Sequence, residues 1–171
     1  MSCQARGWRS SATARARAAP ALAALTGLVP TIAAAAAPAY PQGAAAFQAN
    51  CAVCHGPGGA GVPALAPPLL SYPARYAAST EGRRQLAMTV LYGMIGDITV
   101  EGRHFNFQMP DFARLDDATL AATLNFVVFD LARAAADVKP LAPDEIAAER
   151  AHPLDGAAVH EHRNSVAPPG P

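Results

Sequence analysis

Residues 50–56, Asn50-Cys51-Ala52-Val53-Cys54-His55-Gly56, decide how the rest of the chain is read. Two thiols three positions apart, followed at once by an imidazole, have few chemical uses. A disulfide between them would close a loop within one helical turn and constrain the unfolded chain little. A redox dithiol of the thioredoxin type needs a βαβ setting, and no strand-like run precedes Cys51. A structural zinc site needs four ligands with a second Cys/His pair, whereas His104 stands alone and the other histidines lie near the C-terminus. What remains is C-x-x-C-H as the attachment signature of c-type haem. Two thiols on one helical turn reach the two vinyl groups of a porphyrin, and the imidazole of the next residue lies under the iron. Cys51 and Cys54 are therefore expected to hold one haem covalently, with His55 as an axial ligand of its iron.

Upstream, residues 1–17 contain Arg6, Arg9, Arg15 and Arg17 and no acidic residue, and they lead into an apolar run from Ala21 to Val29 and then Ala33 to Ala37. A basic start, an apolar centre and a small-residue end form the pattern of a secretory signal. The stretch is Ala-rich, is interrupted by Pro30 and Pro38, and lacks the ~20 strongly apolar residues that a membrane span needs. Residues 1–37 are thus expected to be a signal peptide, cleaved somewhere near Ala35 to Ala39. No integral membrane span then remains, and the mature chain belongs in the periplasm. No Arg-Arg pair precedes the apolar run, so export unfolded, with the cofactor added outside, is the simpler route. Cys3 leaves with the signal.

The chain has 171 residues, 51% of them apolar and 15% charged, with 13 basic side chains balancing 13 acidic ones. Losing the four leader arginines leaves nine basic against thirteen acidic residues, a charge of −4. A chain so apolar is not disordered throughout, and one without a basic surplus is not a nucleic-acid binder. Its length suits one core plus a tail. Aromatic residues make up only 6%, so a non-protein group is expected to fill part of that core.

Residues 42–50 read as a helix with Gly43 and Phe47 on one face, and the Gly/Pro-rich run from Gly56 to Leu70 as a tight loop. Ser79-Thr80 caps a helix to Tyr92, with Leu86 and Val90 on one face and Gly93 as its stop. Ile98 to Phe107 alternates around Glu101-Gly102, a short hairpin. Asp116-Asp117 caps the strongest helix, whose Leu120, Leu124, Val127 and Leu131 form a buried stripe. Pro140 and Pro143 mark a change of character, and Pro143-Asp144-Glu145 starts a further helix to Arg150. The sum is an all-α fold of about four helices around one haem, with a small hairpin. The haem domain spans 38–133, and 134–171 is a C-terminal extension of short helices with a disordered end.

A sixth ligand to the iron is expected from Met109, which precedes Pro110 and lies 54 residues beyond His55, enough chain to approach the other haem face. A thioether favours reduced iron and suits electron transfer. The rivals are Met88, inside a helix and of a type that usually fills core, Met94, in the turn after Gly93, and His104, in the hairpin. His160 and His162 are two apart, point to different sides of a helix and read as solvated surface.

The stretches NCAVCHGPGGAGVPALAPPL, LYGMIGDITVEGRHFNFQMP and LDDATLAATLNFVV together resemble a monohaem class I cytochrome c of the bacterial periplasm, from about Gly43 to Leu131. The resemblance implies the cytochrome c fold, with Gly43 and Phe47 crossing the strongest helix near Phe126. It implies that Pro67 or Pro68 supplies the carbonyl that holds the Nδ1 hydrogen of His55, and that Leu69 lines the haem face. Phe107 departs from the pattern, standing where related sequences generally have a small residue, and is expected to tighten or re-aim the ligand loop. Lys139 is the only lysine, so docking through a lysine ring is not available, and Arg103 and Arg114 are the expected rim charges. The implied function is electron transfer without a substrate, hence no enzyme, either as a diffusible shuttle or as the cytochrome subunit of a periplasmic dehydrogenase. Its partners would be redox proteins: a dehydrogenase, a terminal oxidase or a reductase. A five-coordinate haem enzyme or gas sensor is the alternative, and it requires Met109 to be displaceable.

Overall fold

Pro41 occupies the first position of helix α1 (Pro41–Asn50), where its missing N–H costs nothing. The computed structural model describes residues 37–166. The expected signal, apart from Ala37, lies outside the described residues, as do 167–171 of the expected disordered end. After α1 come α2 (Ala52–His55), α3 (Tyr72–Ala77) and α4 (Thr80–Tyr92). The antiparallel pair β1 (Ile98–Val100) and β2 (Arg103–Phe105) follows, then α5 (Asp117–Asn125), a π-helical turn (Phe126–Leu131), α6 (Pro143–Arg150) and α7 (Gly156–Val166). No helix among the described residues is long and apolar enough to cross a membrane.

The helix ends follow the expected chemistry. Ser79 Oγ accepts from the Gly82 amide at 3.1 Å and Asp116 Oδ1 from the Thr119 amide at 2.7 Å, each satisfying a first-turn N–H that has no partner inside the helix. In the hairpin, Glu101 and Gly102 both take positive φ, 51° and 72°, the backbone of a two-residue turn that matches the strand twist.

The structure has seven helices among the described residues rather than about four. α2 is the single turn carrying the cysteine motif. α3 is six residues with Pro73 near its start, too short to show a period, and its proline reads locally as a breaker. The larger surprise is that α5 and the π-helical turn that continues it are buried on more than one stripe. Leu120, Leu124 and Val128 face a cluster with Leu86, Val90 and Leu91, while Phe126 and Val127 face Phe47. At the second contact α1 crosses closely, because a Cβ on Gly43 would run into the Ala122 carbonyl, and the Phe47 and Phe126 rings pack 5.4 Å apart. The helix widens there into i→i+5 bonding, with the Ala132 amide donating to the Val127 carbonyl at 2.9 Å.

Residues beyond 133 supply the covering of the first face. Leu141 and Ile146 are buried in the same cluster as Leu120 and Leu124. Asn125 fastens this segment from inside, donating through Nδ2 to the Leu141 carbonyl at 3.0 Å and accepting the Leu141 amide at 2.7 Å. Arg83 binds the Lys139 and Pro140 carbonyls and pairs with Glu145, and Arg150 pairs with Asp117 while donating to the Ala113 and Leu115 carbonyls. Asn125→Ala would leave both buried Leu141 backbone groups unpaired, at about 1–3 kcal/mol per group. Urea denaturation should show the lower stability, and hydrogen exchange should show residues 139–147 opening before α1 does.

Candidate haem site

Cys51 closes α1, its amide donating to the Phe47 carbonyl at 2.8 Å, and at once opens α2, its carbonyl accepting from Cys54 and His55. The two thiols thereby lie three positions apart on one face of a turn, both half-buried and unbonded to each other. Burial, and secondarily the neighbouring Cys54, push the Cys51 thiol up to about 11 against the opposing pull of Arg114. A thiol held protonated is a poor dithiol-exchange centre.

His55 is buried, and its Nδ1 lies 2.9 Å from the Pro67 carbonyl. A carbonyl only accepts, so Nδ1 carries the hydrogen and Nε2 presents its lone pair. Burial holds the imidazole below its ordinary pKa, and the Pro67 bond opposes this, so the ring is neutral and ready to bind a metal. Of the two prolines considered, Pro67 is the acceptor. The loop that delivers it folds on itself through Gly61 N–H to the His55 carbonyl (2.7 Å), the paired Val62–Ala66 bonds and Leu69 N–H to the Gly59 carbonyl (2.7 Å).

Cys51, Cys54, His55 and Pro67 line a cavity of about 350 Å³, within the range of small-molecule and cofactor sites. Its other walls come from α3 (Tyr72, Tyr76), α4 (Leu86, Thr89) and the run Phe107 to Phe112. Met109 and Met94 both line it, and their backbones are paired, Met94 N–H to the Met109 carbonyl at 3.1 Å and Met109 N–H to the Met94 carbonyl at 3.0 Å. Met88 is 2% exposed, outside the cavity wall, and fills core. His104 is exposed, with Nε2 3.9 Å from Asp97, and does not reach the wall.

Three expectations need correction. Leu69 packs with Phe47, Phe126 and Val127 instead of lining the cavity, where Leu65 and Ala66 stand. The reason is the Gly59–Leu69 bond, which turns Leu69 toward the α1–α5 crossing. Phe107 does not press into the ligand loop: it is 61% exposed, at the cavity mouth. His160 and His162 do point to different sides of α7, but each is bonded to the body, His160 Nε2 to the Asp97 carbonyl and His162 Nδ1 to Gln85 Oε1, both at 2.7 Å. Sequence reasoning also misses Tyr76, whose buried hydroxyl has no hydrogen-bond partner, and Arg163, which reaches the cavity from α7. Neither stands in a recognisable motif.

A neutral imidazole, two thiols on one turn, apolar walls, a thioether and an unpartnered phenol are a donor set that fits a covalently held haem, and a helical fold wrapped around such a site defines a single-haem c-type cytochrome. The profile of the cytochrome c family matches residues 40–128. Cytochrome c-552 of Thermus thermophilus is 35% identical over 124 residues, covering 71% of this chain and 95% of the relative. A second cytochrome c-552 from the same species is equally similar, with 84% of its length covered. The chain belongs to the cytochrome c family, as a monohaem class I member that carries covalent haem c and transfers electrons.

Gly61 sets the acceptor of His55. Its φ is +76°, and a Cβ there would stand 2.6 Å from Pro68 N and 2.8 Å from both the Ala66 carbonyl oxygen and the Pro67 carbonyl carbon. Gly61→Ala should therefore displace the 66–68 backbone, costing about 1–3 kcal/mol, and shift the reduction potential as the imidazole loses its hydrogen-bond partner. Gly58→Ala, with open space around the added methyl, should leave both quantities unchanged. Thermal melts and protein-film voltammetry of the two variants make the comparison.

Proposed function

We propose that this chain is a periplasmic electron carrier whose iron is held between His55 Nε2 and the Met109 sulfur. Bound haem supplies the one-electron Fe(III)/Fe(II) couple. Cys51 and Cys54 anchor the cofactor, and Pro67 fixes the imidazole tautomer. The observation that carries the Met109 assignment is its place in a cavity-lining run that is pinned on both sides. Its own N–H and carbonyl bond Met94, Phe112 N–H donates to the Val90 carbonyl at 2.9 Å, and Pro110 restricts the Met109 backbone to extended conformations. Met94 packs on the Ile98, Val100 and Phe105 cluster of the hairpin and Met109 on the cluster of Leu86, Val90 and Phe112, so it is the Pro110 restriction and the Phe112 anchor, which Met94 lacks, that favour Met109. A six-coordinate iron leaves no position for a substrate, which favours a carrier over a five-coordinate enzyme or gas sensor. The basic, acid-free leader supports export.

Met109→Ala should abolish the weak long-wavelength charge-transfer band of thioether-ligated ferric haem and lower the reduction potential, because the soft donor favours Fe(II). Met94→Ala should keep the band. The reverse pattern would reassign the ligand.

The redox partner, whether a dehydrogenase, an oxidase or a reductase, docks at the cavity mouth. There Val53 is 80% and Phe107 61% exposed, beside the exposed Arg114 held over the Phe112 ring at 5.3 Å. Arg103, stacked on Phe105, lies outside the cavity wall. With one lysine in the chain and an apolar mouth, association should depend weakly on salt, since it is charged rims that steer encounter. Stopped-flow rates with the partner across ionic strength test this, and a steep fall with added salt would argue for a charged patch instead.

A further inference from the structure

The last helix is fixed in register by contacts along its length. Ile95 N–H donates to the Gly156 carbonyl at 2.9 Å, and Val159 is fully buried, its carbonyl accepting from Gln85 Nε2 at 3.3 Å. His160 binds the Asp97 carbonyl and His162 binds Gln85. Gly96 and Gly156 permit this approach, since a Cβ on the first would meet the His160 ring at 2.7 Å and one on the second would meet Ile95 at 2.9 Å. So held, α7 brings Arg163, four residues beyond Val159 and on the same face, into the wall of the cavity that Cys51, His55 and Met109 also line.

Arg163 has no carboxylate partner within ion-pairing distance among the described residues. Its only hydrogen bond there is a long one, 3.5 Å, to the Thr99 carbonyl. Arg163 is half-buried at the cavity wall, and a guanidinium placed there without a carboxylate partner keeps its donor fork free for an anion in the cavity. A second polar group shares the wall. Tyr76 is 4% exposed, and its buried hydroxyl has no hydrogen-bond partner. Arg163 is close enough to both Tyr72 and Tyr76 to work against the upward push that burial gives their phenols. A cation and an idle hydroxyl donor on one wall form a receptor for a carboxylate.

We propose that Arg163 is the ion-pair partner of a haem propionate, with the Tyr76 hydroxyl as a second donor, so that the C-terminal helix sets the reduction potential of the haem. The inference rests on the cavity being the haem site and does not depend on Met109 as the sixth ligand. A negative propionate stabilises Fe(III), and a guanidinium beside it cancels that effect, so Arg163 raises the potential. The pair also explains why a segment beyond the part matched by the family profile is tied so firmly to α4 and to the loop before β1.

The experiment compares Arg163→Met, which keeps the length of the side chain and removes its charge, with Arg163→Lys, which keeps the charge. Both are made as the full, haem-loaded chain and compared at equal covalent haem content, read from the haem band on a denaturing gel. Arg163→Met is expected to lower the reduction potential and to shift the propionate carboxylate bands in redox-induced infrared difference spectra, with the visible spectrum unchanged. Arg163→Lys is expected to retain most of the wild-type potential. Tyr76→Phe, which removes only the hydroxyl, should move the same infrared bands by a smaller amount. A wild-type potential and wild-type carboxylate bands in Arg163→Met would overturn the proposal, as would equal shifts in the Met and Lys variants, which would mark Arg163 as packing only. A wild-type chain without a haem band would instead overturn the site reading beneath it.

Discussion

The hydrogen bond from His55 Nδ1 to the Pro67 carbonyl is the constraint on which the rest of the structure depends. It joins the motif turn to a loop that no regular element supports, and it selects the tautomer that leaves Nε2 free. The loop can present that carbonyl only because Gly56, Gly59 and Gly61 all adopt positive φ, a region open to glycine at little cost. The Gly/Pro-rich composition between His55 and Leu70 is thus the covalent description of a rigid bracket. Glycines permit the turns, and consecutive prolines remove the alternatives.

Much of this is legible in the sequence because it is local. The C-x-x-C-H turn, the Ser79 and Asp116 caps and the Glu101-Gly102 hairpin each depend on residues within a few positions, and each forms where its side chains indicate. Leu69 is misplaced by sequence reasoning because the choice between facing the cavity and facing the α1–α5 crossing is made by the Gly59 carbonyl, ten residues away. The single stripe expected for α5 is incomplete for a similar reason. A helix lying between two partners needs apolar residues on both faces, and a period count reports only the stronger face.

The C-terminal segment is the least legible part. α6 has only eight residues, and α7, although eleven residues long, reads as a polar run, GAAVHEHRNSV. What attaches it is long-range and largely polar: Asn125 to Leu141, Arg83 to Glu145, Gln85 to His162, Asp97 to His160. Bonds of this kind join residues 16 to 77 positions apart and leave no periodic trace. Histidines that look like solvated surface from their spacing are here fastening points, because an imidazole offers a donor and an acceptor at fixed positions on a flat ring.

These attachments divide the labour around the cavity. Val53 and Phe107 leave the cavity an exposed apolar edge, while Arg163, half-buried on the same wall, is carried by a helix with its own anchors in α4 and in the loop before β1. Separating the two has a physical advantage. A charge that tunes a redox centre acts most strongly where water is excluded, whereas a docking edge must release its partner quickly and works best with a small apolar contact of less than about 1,200 Å². One surface cannot meet both requirements, because a tuning charge at the mouth would be screened by solvent between encounters and desolvated during them, making the potential depend on whether a partner is bound. Carrying the charge on a helix outside the haem-binding core keeps the potential a property of the fold and leaves the mouth free to be apolar.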